Sequence, residues 1–431
     1  MSKKKISFGV IVGAISLAVD SLSGLVVLPI LLKFLSKELA GLWVFFLSFT
    51  ALINLAQAGL GPVVIRKSAE LKESAQQKDI AAFYKLINAS YSIVAALVFV
   101  ICVIIYFAYI LWVLQPINFV LVGSLSWAII ALGYAVRIYS VKNYHIVNGF
   151  GEVGWDKVAQ IVVSIVNLIL FYLVLNLGYG IVGVSTVFLI SNFIHLFASV
   201  YVLNKFTDLA ALSASNKIKR TDIIDLFSQS GKMLLLNLVG FIVMNTDIFI
   251  VERMFGLKTL PYFSALAKIV WLIIAVASLF LQMVYPYIAI NWAQKNFMKC
   301  RRLYISSVQL ALGIGIVLSI ISFYLAPYIV PKWVGIYLGP SLFSLQLLFG
   351  LIYIHHVAHA NAVIATNSNA FILPAIANAL LSLPLSIAGG YYWGLNGIII
   401  GNIAATVIPS FYVVLWSYRF FREIPHKEIK I

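Results

Sequence analysis

Asp20, Asp247, Lys268, His355 and His359 are ionisable residues set inside stretches that are otherwise almost wholly apolar. A charge in such a place is costly unless it faces a cavity or a partner, so each is a candidate for binding a polar cargo or an ion. Asp20 lies near the middle of the first apolar stretch. Asn54 falls at the same depth in the second and is an expected hydrogen-bond partner. Asp247 and Lys268 flank a turn near Leu257, each about ten residues from its tip, or about 15 Å along its helix at about 1.5 Å per residue. They are expected to pair or to share one polar cavity, with Asn245 beside them. A pair that only locks the hairpin remains an alternative, as does snorkelling of Lys268 to the surface.

His355, His356 and His359 lie together in a later stretch. His355 and His359 share a helix face at a spacing that zinc ligands use, but no third ligand or accompanying Glu is in view, so no metal site is expected. Imidazole titrates near neutral pH, which suits proton transfer in a polar cavity; ordinary packing is the competing account. Gly59-Leu-Gly61-Pro62 is expected to end a helix at the membrane surface, just before Arg66 and Lys67. The planar fork of Arg66 could engage a phosphate there, and a simple orientation signal explains it equally well.

The elements that hold these residues are membrane spans. The 431-residue chain is 62% hydrophobic and 10% charged, with a mean hydropathy of +1.02. A soluble protein of this length would carry about a quarter charged residues. A bilayer core about 30 Å thick takes about 20 helical residues to cross. Twelve stretches qualify, at residues 10–32, 39–59, 83–111, 117–139, 158–177, 181–203, 233–255, 261–290, 304–329, 341–364, 370–391 and 395–418. The loops left over are too short for a soluble catalytic domain. The expected fold is therefore an all-α polytopic membrane protein. The two cysteines, Cys102 in a span and Cys300 in a basic loop, are not expected to pair.

Lys and Arg orient the spans. With the N-terminus in the cytoplasm, 24 of the 30 basic residues fall on the inner side and five on the outer, with Lys268 inside a span. That asymmetry is the positive-inside pattern and places both termini in the cytoplasm. The net charge of +16 is thus topological, and no nucleic-acid partner is expected. The longest polar connection follows span six and divides the chain into an N-terminal six-helix half (1–204), a cytoplasmic linker (205–228) and a C-terminal six-helix half (229–431). Phe34-Leu-Ser-Lys37-Glu-Leu39 matches Phe255-Gly-Leu-Lys258-Thr-Leu260 at the corresponding place in each half. Two halves of equal orientation are a parallel repeat, a transporter architecture with the substrate between them.

Leu39-Ala-Gly41-Leu-Trp43-Val-Phe-Phe-Leu-Ser-Phe, followed by Asn54-Leu-Ala-Gln-Ala-Gly59-Leu-Gly61 and Arg66, resembles the first hairpin of Wzx-type O-antigen flippases. These form the polysaccharide-transporter branch of the superfamily that includes multidrug (MATE) exporters and the lipid II flippase. Gly59 and Arg66 match a recurring feature of that hairpin. The resemblance implies a V-shaped, MATE-like pair of six-helix bundles in the bacterial inner membrane. It also implies movement of undecaprenyl-diphosphate-linked O-antigen or related polysaccharide repeat units from the cytoplasmic to the periplasmic leaflet by alternating access. Arg66, Arg137 and Lys268 would offset the phosphate charge in a cavity that also includes Asp20, Asn54, Asn245 and Asp247. Asp20, Asp247, His355 or His359 would bind a coupling proton or sodium ion; no other cofactor is expected. The polymerase and chain-length regulator of the same pathway are the protein partners that the resemblance implies. A multidrug or small-molecule cation antiporter of the same superfamily is the nearest alternative. A membrane polysaccharide polymerase or glycosyltransferase fits less well, because the outer loops are short and no Asp-x-Asp cluster exists. The chain is read as a transporter, not an enzyme.

Overall fold

Twelve long apolar runs require an interior that satisfies every backbone polar group, and in lipid an α-helix does so within a single segment. The computed structural model describes residues 3–74, 77–115, 119–152, 154–207, 220–335, 339–366 and 370–423, and among these it is all helix. The chain falls into two compact units, Met1–Leu238 and Val239–Ile431. Half of the expected linker, residues 208–219, lies outside the described residues.

The first unit contains α1 (Lys3–Phe34), α2 (Lys37–Ser48), α3 (Ala51–Ser74) and α4 (Gln77–Ile105). The last of these runs through a π-helical turn at Tyr106–Ile110 into the short α5 (Leu111–Leu114). Then come α6 (Val120–Gly149), α7 (Trp155–Asn176) and α8 (Gly180–Phe206). Helix α9 (Arg220–Phe255) carries the chain across the division between the units. The second unit continues with α10 (Leu260–Ala293), α11 (Phe297–Val334), α12 (Pro340–Ile364) and α13 (Ile372–Glu423). Among the described residues, nine helices are long and apolar enough to cross a membrane. One of them, α13, is two spans in a single run. Trp393 and Gly394 break it, with Gly394 at φ 62°, so that the second arm folds back on the first. Large apolar side chains cover the outer surface, Leu121 at 82% and Leu380 at 71% exposure, as lipid-facing positions require. The protein is a multi-pass membrane protein.

Helix α6 is the hub of the first unit, touching α3, α4 and α8, while α1 packs on α7. The aromatic run of α2 fills the space beside it. Trp43 lies edge-on to Phe171 and Phe188, with ring centroids at 5.5 and 6.3 Å, and Phe46 and Phe49 pack on Trp127 at 5.2 and 5.0 Å. Aromatic edge-to-face contacts of this kind add about 0.5–1.5 kcal/mol each beyond simple burial.

The second span is not one continuous helix. It breaks at Phe49 and Thr50, where Thr50 N–H bonds Leu47 instead of Phe46. The Tyr134 hydroxyl from α6 then donates to the Phe46 carbonyl at 2.7 Å. The expected break at Gly59–Pro62 does not occur, since α3 runs from Ala51 to Ser74 through Pro62. A proline inside a helix costs one N–H and crowds one carbonyl, and transmembrane helices tolerate it where neighbours make good the loss. Gly61 instead admits the His145 ring, which a Cβ there would meet at 2.8 Å.

Candidate functional site

In the second unit, α10 packs on α11 and α12, and α12 on α13. A cavity of about 190 Å³ opens among these helices and α9. A single water needs roughly 10–15 Å³ on that measure, so the space takes several waters or a polar fragment of a larger molecule. Asn245 and Asp247 reach it from α9, Lys268 and Trp271 from α10, Gln346 from α12 and Asn402 from the second arm of α13. Three of the residues singled out in the sequence, Asn245, Asp247 and Lys268, are thus brought together.

The backbone explains why Asn402 can reach Asp247. Gly389 and Gly397 lie face to face in the two arms of α13, where a Cβ on Gly397 would sit 1.8 Å from the Gly389 oxygen. Gly401 likewise rests on the backbone of Leu385. Gly397 and Gly401 form a small-xxx-small stripe, the pattern that lets membrane helices approach closely. One turn along, Ser386 donates to the Ile398 carbonyl at 3.2 Å and to Asn402 Oδ1 at 3.3 Å. This orients the amide, whose Nδ2 then donates to Asp247 Oδ2. The other carboxylate oxygen, Asp247 Oδ1, is buried with no hydrogen-bond partner, as is Gln346 Oε1. Two open acceptors in one cavity suit a cation, a proton carrier or the hydroxyls of a sugar.

The histidines form a chain of contacts beside this cavity's helices. Tyr304 OH lies 2.7 Å from His359 Nδ1, and His359 Nε2 lies 3.2 Å from His355 Nε2. His356 turns to Ser410 at 2.8 Å. His359 is fully buried, and its ring is held by Tyr304 and Tyr418. Sequence spacing placed His355 and His359 on one face; Tyr304 and Ser410, from other spans, were not legible from it.

The first unit has its own polar centre. Asp20 accepts from Ser164 of α7 at 2.6 Å. The side chain of Asn54, its expected partner, lies outside the described residues. Arg137 donates to Gln160 Oε1 and lines a second cavity, of about 110 Å³, with Tyr144, Asp156, Lys157 and His195. Arg66 lies on an exposed face of α3, 3.8 Å from Glu70, and lines neither cavity.

Geometry reveals a second internal repeat. Tyr91 OH meets His145 Nδ1 at 2.7 Å between α4 and α6, as Tyr304 meets His359 between α11 and α12. Tyr179-Gly180-Ile-Val-Gly183 and Trp393-Gly394-Leu-Asn-Gly397 open the last span of each half, and both Gly180 and Gly394 have positive φ. Those two glycine pairs share a spacing that a search of the sequence for repeats could have found.

Comparison with solved structures returns the same architecture. An inward-facing MATE-family multidrug resistance transporter of the MOP superfamily matches with a TM-score of 0.74 at 15% identity, covering 96% of each chain. Its outward-facing form matches at 0.67 and 16%, over 99% of this chain and 97% of that one. The lipid II flippase MurJ, inward closed, matches at 0.70 and 16%, over 97% of this chain and 90% of that one. Identities this low carry the fold alone. No curated protein matches. A family model described as polysaccharide biosynthesis protein matches residues 8–292, about two-thirds of the chain, and the protein belongs to that family.

Proposed function

We propose that this protein is a flippase that moves undecaprenyl-diphosphate-linked oligosaccharide repeat units, of O-antigen or a related polysaccharide, across the bacterial inner membrane. Both termini face the cytoplasm in this reading, because the alternating loops put 24 of 30 basic residues on that side. The observation that carries the proposal is the cavity of the second unit, where Asp247, Lys268, Asn245, Gln346 and Asn402 converge within spanning helices. Membership of a polysaccharide family supplies the cargo class.

In the proposed cycle the diphosphate and sugar enter the protein while the prenyl tail stays in lipid. Hydrogen-bonding side chains replace water around the sugar hydroxyls. Lys268 offsets the phosphate charge when the cavity is loaded. Asp247 is the site of the coupling ion, a proton or sodium. Its Oδ2 is fixed by Asn402, and its Oδ1 is open to the incoming cation. The Tyr304–His359–His355 chain is a second route for a proton. The cargo's own polymerase and chain-length regulator would receive the product on the outer face.

Extraction of lipids from a deletion strain tests this reading. Undecaprenyl diphosphate bearing one unpolymerised repeat should accumulate, and its sugars identify the cargo. Unchanged lipid-linked sugars together with raised drug sensitivity would instead favour a cation antiporter.

A further inference from the structure

On the side that the charge pattern reads as cytoplasmic, the helix ends of the second unit gather basic residues around a ladder of aromatic rings. Trp292 lies at the end of α10, Phe297 opens α11, and Trp416 and Phe420 lie in the last turns of α13. Trp416 stacks on Phe420 at 4.6 Å and 17°, and Phe420 stacks on Trp292 at 5.4 Å and 28°. Phe297 meets Trp292 edge to face at 5.2 Å. All four rings are half-buried. Behind them, Phe421 is buried and stacks on Tyr304 of α11 at 4.4 Å, so the ends of α10, α11 and α13 are held as one surface.

Lys295 in the connecting turn, Lys299, Arg301 and Arg302 at the start of α11, and Arg419 and Arg422 at the end of α13 border this ladder. Arg301 is half-buried and the others are exposed. Their side chains make no ion pair or hydrogen bond with any described residue. Glu423 is the one acidic residue within 285–304 and 411–423, so most of this charge is uncompensated there. The first unit treats its inner cations differently. Lys67 pairs with Glu70 at 3.2 Å and Lys157 with Asp156 at 4.0 Å, Lys72 donates to the Phe150 carbonyl, and Lys205 sits 4.5 Å over the Trp155 ring. An orientation signal requires neither arrangement, because the positive-inside rule counts charges and not their contacts. The cations do not serve α11 either: they crowd the positive end of its dipole, and its first turn has no acidic residue.

We infer that Lys299, Arg302, Arg419 and Arg422, with the Trp292–Phe420–Trp416 ladder, form a binding site for the headgroup of an anionic glycerophospholipid of the cytoplasmic leaflet. Charge complementarity names the occupant: exposed cations at headgroup depth lack a protein anion, and phospholipid phosphate is the anion at that depth. Guanidinium forks match phosphate oxygens in pairs. Indole and phenyl rings suit the zone between headgroup and acyl chain, where one edge meets polar groups and the rest meets hydrocarbon. About one turn deeper, Ile290 of α10 and Leu415 of α13 are exposed and apolar, as contacts to acyl chains require. The site holds a resident lipid and not the cargo, so it is independent of the flippase reading. It clasps α10, α11 and α13 beside the Tyr304–His359 pair.

The test is native mass spectrometry of the purified full-length protein in detergent, titrated with phosphatidylglycerol, phosphatidylethanolamine or undecaprenyl diphosphate. Two double variants remove charge from exposed positions of the site, Lys299→Gln with Arg302→Gln and Arg419→Gln with Arg422→Gln. Lys67→Gln with Lys205→Gln, also exposed, removes the same charge from the inner side of the first unit. Melting temperature verifies that all three are folded. Phosphatidylglycerol should bind the wild type about tenfold or more tighter than phosphatidylethanolamine, and each double variant of the site should weaken it about tenfold. The first-unit pair should change it by about twofold at most, since its cations already have partners. Equal affinity for the two phospholipids would overturn the site. So would an equal loss in all three variants, which would show only a diffuse attraction to positive charge. Tighter retention of undecaprenyl diphosphate than of phosphatidylglycerol, lost in the same two variants, would make the patch a port for cargo and would also overturn it.

Discussion

The side-chain amide of Asn402 donates to Asp247 Oδ2 across 155 residues of sequence, joining the last span of the second unit to its first. The bond depends on the close approach of two arms of one helix run. Gly389, Gly397 and Gly401 allow that approach, and Ser386 sets the amide's orientation. A carboxylate held on one oxygen and open on the other is prepared for a ligand, whereas one held on both would be structural.

Asp247→Asn and Lys268→Ala should each reduce surface polysaccharide tenfold or more in a complementation assay, at normal protein level. Because both line one cavity, the double variant should fall well short of the product of the two effects, as neighbouring residues behave in double-mutant cycles. Wild-type polysaccharide in all three would remove the cavity from the transport path.

Gly397→Ala should destabilise the second unit. Its new Cβ would sit 1.8 Å from the Gly389 oxygen, so the two arms must separate. Overpacking of this kind costs about 1–3 kcal/mol. Thermal unfolding of the detergent-solubilised protein should show a lowered transition. Gly313→Ala, where nothing lies within 4 Å, should leave it in place.

Tyr134→Phe should weaken the break in the second span by about 0.5–1.5 kcal/mol, the usual net worth of one hydrogen bond. The lost partners are the Phe46 carbonyl, at 2.7 Å, and Thr50 Oγ1, at 3.3 Å. Hydrogen exchange should then rise at Phe49 and Thr50 before it rises elsewhere in α2 and α3. Unchanged protection there would mean that the break is held by the aromatic packing alone.

Tyr91→Phe and Tyr304→Phe remove equivalent bonds to His145 and His359 in separate units. Their effects on melting temperature should be similar and should add, since distant sites without shared partners are independent. A transport defect confined to Tyr304→Phe would single out the His359–His355 pair as the functional one.

Much of the fold was legible because hydrophobic thickness is a simple constraint. Apolar runs of about 20 residues name the spans, and the turn at Leu257 puts Asp247 and Lys268 at one level. What escaped was tertiary. Ser48, Phe49 and Thr50 contain no helix breaker, and the break among them is completed by Tyr134 from another helix. Pro62 reads as a breaker and yet lies inside α3. Asn402 and Gln346 were visible as polar residues in spans, but no local spacing reveals that they reach the cavity of Asp247. The sequence places Arg137 in a cavity only through the family resemblance, and Lys157 beside it reads solely as part of the positive-inside signal.

The central claim is tested most directly by reconstituting the purified protein in vesicles with a fluorescent undecaprenyl-diphosphate oligosaccharide and an imposed proton or sodium gradient. The account predicts that the labelled sugar becomes accessible to an external reagent faster than in empty vesicles, that a gradient accelerates this, and that Asp247→Asn abolishes the acceleration. Translocation no faster than in protein-free vesicles under either gradient would contradict it.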